Sequence, residues 1–253
     1  MTTDPGTTTR NWFSQGGEAY ARFRPEYPGA LAEALADLAP DRRLAVDVGC
    51  GTGQLTAQLA EHFERTIGLD PSEDQLRHAT PHPRAQYRPS PAETLDVPSG
   101  SASLITAAQA AHWFDLPRFY GEVRRVAAPG AVLSLLSYGT PTLDDTVNAR
   151  FQHFYNSEVG RYWPPERQLV DSGYATLDFP FKEQPGPALD IHKAWPLADL
   201  LGYVSTWSAV RRAREAGQDA LLHRFAEDLA ELWGDPATER SIRWPVNMRL
   251  GVV

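Results

Sequence analysis

The segment VDVGCGTGQLT at 46–56 constrains this chain more than any other: an apolar run breaks into three closely spaced glycines, and a helical pattern follows at once. Glycines in that setting permit left-handed backbone and let a ligand approach the main chain and the helix N-terminus. A dinucleotide-binding turn requires G-x-G-x-x-G. Here the third position after Gly49 and Gly51 is Gln54, and the glycine comes one residue early, at Gly53. Asp47, just ahead of the turn, repels a pyrophosphate and attracts a ligand that carries a cation.

Around the turn, short apolar runs alternate with amphipathic stretches. LAVDVG at 44–49, TIGLD at 66–70, ASLITAAQ at 102–109 and AVLSLLSYG at 131–139 are separated by LTAQLAEHF, SEDQLRHA and a segment from Pro117 to Ala127. Strands alternating with helices predict an α/β fold with a mostly parallel sheet, and continuously apolar strands predict one covered on both faces. The expectation is a doubly wound, seven-stranded sheet, with strands at Leu44–Val48, Thr66–Leu69, Ala102–Ala108 and Ala131–Ser137. A helix after Pro28 carries Leu31, Ala34, Leu35 and Leu38 and stops at Pro40. Residues 1–11 are polar and aperiodic and read as a disordered tail, leaving 12–253 as one domain. The alternation fades after Gly139, so 140–175 and 195–235 read as a helical cap over a substrate. The cap is expected as an insertion between the fifth and sixth strands, with helices at 197–213 and 219–233, and RSIRWPVNMRLGVV reads as strand.

Charge and cysteine content exclude several functions. Acidic residues number 32 against 24 basic, a net charge of −8 that disfavours nucleic acid and anionic membrane surfaces as partners. Cys50 is the single cysteine, so there is no intramolecular disulfide and no thiolate metal cluster, which fits a reducing compartment. No stretch approaches the ~18 apolar residues of a membrane helix, and a cytoplasmic protein is expected. His78 and His82 have the spacing of helical metal ligands, but Pro81 and Pro83 break that helix, so no metal is expected.

Asp70 closes the second strand in GLDPS, where a carboxylate in such a fold accepts from both ribose hydroxyls. Ribose together with a cationic amino-acid head points to S-adenosylmethionine. At these residues the chain resembles the class I S-adenosylmethionine-dependent methyltransferases. With YARFRPEYP at 20–28, AQAAHWFD at 108–115 and TWSAV at 206–210, it is similar to the branch containing trans-aconitate methyltransferases and their small-molecule relatives. The resemblance implies a Rossmann-like methyltransferase fold. It implies that Asp47, Gly49, Gly51 and Gly53 surround the methionine moiety, with Cys50 and Thr52 in the same turn, and that Asp70 binds the ribose. Pro71 and Ser72 would border the adenosine, Ala92 and Glu93 the adenine edge, and Gln109 the methionine part. Tyr20 and Arg24 match positions that reach the cofactor carboxylate.

Methyl transfer from a sulfonium disperses charge, so alignment and water exclusion supply much of the catalysis and the acceptor decides whether a base is required. The resemblance implies a small-molecule acceptor methylated on a carboxylate oxygen. A hydroxyl oxygen, an activated carbon, or a non-catalytic binding protein on the same fold are the alternatives, and the intact glycine turn favours an enzyme. His112 is the one histidine that the motifs bring beside the methyl donor, as base or as orienting group, and it is equally suited to cap the helix after it or to pack as a neutral core side chain. Trp113, Tyr138, Tyr203 and Trp207 are candidates to line the acceptor pocket, though aromatic residues supply core before function, as do Phe114, Tyr155, Tyr162 and Trp163. Arg161, Arg211 and Arg212 are the basic residues considered for a carboxylate clamp, each also readable as a solvated surface charge.

Overall fold

The computed structural model describes residues 23–253; the stretch 1–11 and Tyr20 lie outside the described residues. Helix α1 (Gly29–Leu38) buries Leu31, Ala32, Leu35 and Ala36 on one face. Strand β1 (Leu44–Val48) leads through the glycine turn into α2 (Gln54–Ala60), and β2 (Arg65–Asp70) into α3 (Glu73–Arg77). Next come β3 (Ala85–Pro89), β4 (Ala102–Ala108), α4 (Leu116–Val126) and β5 (Ala127–Tyr138). The Asp115 side chain accepts from Arg118 N at the start of α4. That cap, with Pro117 in the first turn, gives the helix its start.

Five strands run parallel in the order β3-β2-β1-β4-β5, so the order reverses between β1 and β4. An open parallel sheet leaves a crevice at such a switch point, outside the carboxyl ends of its strands. The glycine turn follows β1 at that end. Both faces are covered: Ala45, Leu104, Val132 and Leu136 belong to one apolar cluster, and Val46, Val48, Ile105, Leu133 and Leu135 to the other.

Beyond β5 the chain turns helical. α5 (Asp145–His153) continues into a π-turn at Phe154–Glu158, and α6 (Arg167–Asp171) follows. Two strands, β6 (Lys182–Gln184) and β7 (Leu189–Trp195), precede α7 (Leu197–Ser205), α8 (Ser208–Glu215) and α9 (Asp219–Trp233). The 13-residue β8 (Arg240–Val252) returns antiparallel to β5. The sheet has eight strands where seven were expected, because β8 is long enough for two partners on its far side. Its C-terminal end pairs with β6, and the stretch before it with β7.

The single helix read over 197–213 is two. Trp207 is extended, and the Ser205 and Thr206 hydroxyls donate to the carbonyls of Gly202 and Tyr203, giving the turn a local alternative to helix. The helices after β5 pack through aromatic side chains. Phe154 and Phe225 stack at 3.7 Å between ring centroids, and Trp207 makes ring contacts with Phe151, Phe154, Tyr155, Trp163 and Tyr203.

Candidate active site

The turn after β1 is locked to the end of β2. Gly49 and Cys50 donate their N–H groups to Leu69 O at 2.7 and 3.0 Å. Asp70 accepts from Gly51 N at 2.9 Å on one oxygen and from Ser72 N at 2.8 Å on the other. One side chain thus holds both loops, and a carboxylate with about four acceptor positions keeps roughly two for a ligand. Ser72 caps α3 through Gln75 N, and Gln75 is buried with its Oε1 lacking a hydrogen-bond partner among the described residues. That oxygen lies 3.9 Å from where a Cβ on Gly51 would stand, so the cradle carries a buried acceptor as well as Asp70.

Gly49, at φ +70°, is the glycine whose hydrogen atom matters most: a Cβ there would lie 2.5 Å from the Ala110 Cβ and 3.3 Å from the Phe114 ring. Gly49→Ala is expected to cost ~1–2 kcal/mol for the left-handed backbone alone and more for the Ala110 contact. A fall of several degrees in Tm checks it. At Gly53 the ring of Tyr87 takes the corresponding space, and its hydroxyl donates to Thr80 O at 2.6 Å.

Asp47 is buried, and both carboxylate oxygens accept threonine hydroxyls: Thr56 of α2 at 2.7 Å and Thr106 of β4 at 2.8 Å. Desolvation pushes its pKa up to about 6, against the two hydroxyls that favour the anion. Asp47 therefore ties β1 to its neighbours, and what it offers a ligand is charge rather than a free oxygen. Burial drives the Cys50 thiol well above its ordinary pKa, so Cys50 fills the turn and is no nucleophile. Thr52 is buried and accepts Thr80 N at its carbonyl.

The remaining sequence candidates divide. Gln109 adopts a left-handed φ of 54° and donates its side-chain amide to Tyr138 O at 2.7 Å, linking the carboxyl ends of β4 and β5. Non-glycine residues rarely hold that conformation, and those that do concentrate at functional sites. Glu93 accepts Asp115 N at 2.9 Å, joining the loop after β3 to the start of α4, while Ala92 is buried and Pro71 exposed. Tyr203 and Trp207, at 2% and 3% exposure, sit inside the aromatic core, and Tyr138 is buried edge-on to Tyr27. Trp113 is half-buried beside His112, 4.8 Å between centroids.

His112 stands in a one-turn 3₁₀ helix, Ala111–Trp113, beyond β4. Its Nδ1 lies 2.9 Å from the hydroxyl of Tyr174, itself fully buried at a left-handed φ of 63°. Burial, and behind it the positive charges of Arg167 and Arg24, hold the imidazole pKa down to about 3. The imidazole is neutral throughout the physiological range.

Sequence reasoning missed two of these neighbours. Tyr174 and Arg167 belong to the stretch that carries no motif, and they reach His112 only because the chain after β5 folds back over the sheet. The basic residues considered earlier behave otherwise: Arg161 pairs with the Tyr162 hydroxyl at an exposed position, and Arg212 reaches Tyr162 O.

Comparison with known proteins agrees with this geometry. A family model described as a methyltransferase domain matches residues 46–135. A Dictyostelium discoideum protein named as a methyltransferase is 35% identical over 225 residues, covering 87% of this chain and 86% of its own. A solved structure described as a type II methyltransferase from Anaeromyxobacter dehalogenans is 46% identical, with a TM-score of 0.85 over 91% of this chain and 98% of that one. The malonyl-[acyl-carrier protein] O-methyltransferase of Dechloromonas aromatica is 32% identical over 158 residues, 57% of this chain and 58% of the relative. Switch-point crevice, glycine turn, Asp70 and these likenesses converge: the chain belongs to the class I S-adenosylmethionine-dependent methyltransferases.

Proposed function

We propose that this enzyme methylates a small organic acid on a carboxylate oxygen. The observation that carries the reading is the setting of His112: the histidine at the switch point is largely buried, with Nδ1 2.9 Å from the Tyr174 hydroxyl, and burial lowers its pKa to about 3, which makes it a poor base at neutral pH. Among the described residues an acceptor that needs deprotonation finds no histidine fit to take its proton there, whereas a carboxylate is ionised near pH 7 and needs none. The oxygen relative from Dechloromonas aromatica supports oxygen as the accepting atom.

The residues of the turn fit the cofactor. Asp70 has acceptor positions left for the ribose hydroxyls, and Pro71 and Ser72 follow it along the adenosine. Gly49, Cys50, Gly51, Thr52 and Gly53 let the methionine part lie against the main chain, Asp47 supplies negative charge behind it, and Gln109 stands alongside. Ala92 and Glu93 border the adenine, and Arg24, with Tyr20, receives the amino-acid carboxylate. When bound, the cofactor would supply an electrophilic methyl on a sulfonium to an acid oxygen that is already ionised, so these residues would have no proton to move. His112 and Trp113 orient the acid, Tyr138 closes the wall beside Gln109, and 140–175 with 195–235 act as a cap that excludes water, Tyr203 and Trp207 forming its inner frame.

The reading is tested with methyl-labelled cofactor and a panel of small acids. Alkali-labile label released as methanol marks an ester, and alkali-stable label would refute carboxylate methylation. His112→Ala is expected to lower kcat about tenfold, the worth of one hydrogen bond to a charged group, and the native rate is expected to be flat from pH 5.5 to 8. A loss above ~10³ with an acidic limb abolished would establish base catalysis instead.

A further inference from the structure

We propose that Arg167 is the anchor for a second carboxylate of the acceptor, so that the substrate is a diacid methylated on the group Arg167 does not hold. The inference rests on the carboxylate reading above and adds the substrate class to it.

Arg167 begins α6, and its side chain is 15% exposed. Its Nε is committed to the Tyr155 hydroxyl at 2.7 Å and to Asp171 at 3.0 Å, and Tyr155 in turn donates to the same Asp171 oxygen at 2.7 Å. The guanidinium lies 4.8 Å from the Trp163 ring centroid and 5.5 Å from that of Tyr155, so aromatic surface covers it. Within the described residues its two terminal nitrogens make no hydrogen bond, and neither is among the sealed polar atoms that lack one. The fork is therefore stiff at its base, flanked by aromatic surface and open at its end, which is the form in which arginine takes a planar anion in two parallel hydrogen bonds.

The place of that fork follows from packing and charge. The α6 helix packs against the one-turn helix Ala111–Trp113 that carries His112, the Arg167 charge bears on the imidazole, and Arg24 acts on the same ring. Arg24 also lies over the Tyr203 ring, 5.5 Å from its centroid. Two guanidinium groups thus surround one neutral histidine at the switch point, in a chain whose net charge is −8. With Arg24 assigned to the cofactor's carboxylate, Arg167 remains for the acceptor. Asp171, its one carboxylate neighbour, is 38% exposed and shared with Tyr155. Only part of the buried positive charge is met inside the protein.

The anchored carboxylate differs from the attacking one. A two-pronged guanidinium contact takes up one lone pair on each oxygen and draws electron density from both, which weakens the nucleophile. A diacid separates the tasks: one end is clamped, and the other meets the methyl carbon beside His112.

The test is calorimetric titration of the full chain, saturated with S-adenosylhomocysteine, against straight-chain diacids of four to eight carbons and their dimethyl esters. At least one diacid is expected to bind at least tenfold more tightly than its diester. Arg167→Gln is expected to erase that ratio while leaving the diester within about twofold, and Arg167→Lys to keep part of it; the monomethyl ester, which keeps the clamped carboxylate, is expected to weaken with the diacid. S-adenosylhomocysteine affinity, measured in the same variants, reports an intact cofactor site. Should Arg167→Gln lose that affinity, the ratio is read in Arg167→Lys and Asp171→Asn, both of which keep a cation at 167. No diacid preference in the native protein, or an undiminished preference in Arg167→Gln, would overturn the proposal. Diacid binding without alkali-labile product would refute ester formation and leave Arg167 as the anion anchor. Ester formed equally well on monoacids would do the reverse.

Discussion

Asp70→Ala is expected to lower affinity for S-adenosylmethionine on the order of 100-fold, because one carboxylate serves three purposes at once. It accepts Gly51 N and Ser72 N, so its loss leaves two loop donors without a partner and loosens the Gly51 part of the turn, with Gly49 and Cys50 still held to Leu69 O. On the proposed reading it also loses the charge-assisted contacts to the ribose, each worth ~1.5–3 kcal/mol, and about 3 kcal/mol in total corresponds to the stated factor. Asp70→Asn keeps one acceptor oxygen and is expected to fall between. Calorimetry on the two variants decides the matter, and unchanged affinity in Asp70→Ala would remove Asp70 from the site.

Asp47→Asn is expected to act in opposite directions on stability and on function. A carboxyl moved from its ordinary 3.8 to about 6 holds its proton in the folded chain over a range where the unfolded chain has released it. Stability is therefore undiminished at and below about pH 4, falls as pH rises toward 6, and at pH 7 carries a cost on the order of 3 kcal/mol. An amide of the same shape can still pair with Thr56 and Thr106 without the buried charge, so Tm at pH 7 is expected to rise roughly 6–12 °C. At pH 4 the advantage should nearly vanish. Cofactor affinity should drop in the same variant if, as proposed, its negative charge stands behind the methionine part. Equal gains at both pH values would mean that packing, not charge, sets the effect.

The sheet and the cofactor crevice were legible because their signals are local. An apolar run, three glycines and an acid at the end of the next strand lie within 25 residues, and each meaning follows from backbone geometry that the neighbouring residues dictate. The acceptor side was not legible. His112 stood out by its motif, but its chemistry depends on Tyr174, 62 residues away, and on Arg167, which comes from a helix of five residues with no pattern of its own. Lys182–Gln184 escaped notice for a similar reason, since three polar residues become a strand only when a long partner has room beside them. The break at Trp207 is a side-chain event: hydroxyls at 205 and 206 compete for carbonyls that the apolar periodicity assigns to a continuous helix.

The length of β8 bears on the order in which the molecule assembles. β1, β2, β3, β4 and β5 find their parallel partners among residues 44–138, so that half of the sheet can form while the rest of the chain is still being made. β6 and β7 have no such opportunity, because each pairs only with residues 240–252, and β5 waits for the same strand along its open edge. One late segment thus closes three strands together, over contacts as distant as Val132 with Val252, and long-range closure of that kind is slow and leaves apolar edges open in the meantime. Until β8 arrives, the parallel part of the sheet keeps one edge of β5 open, paired on its other side to β4 alone.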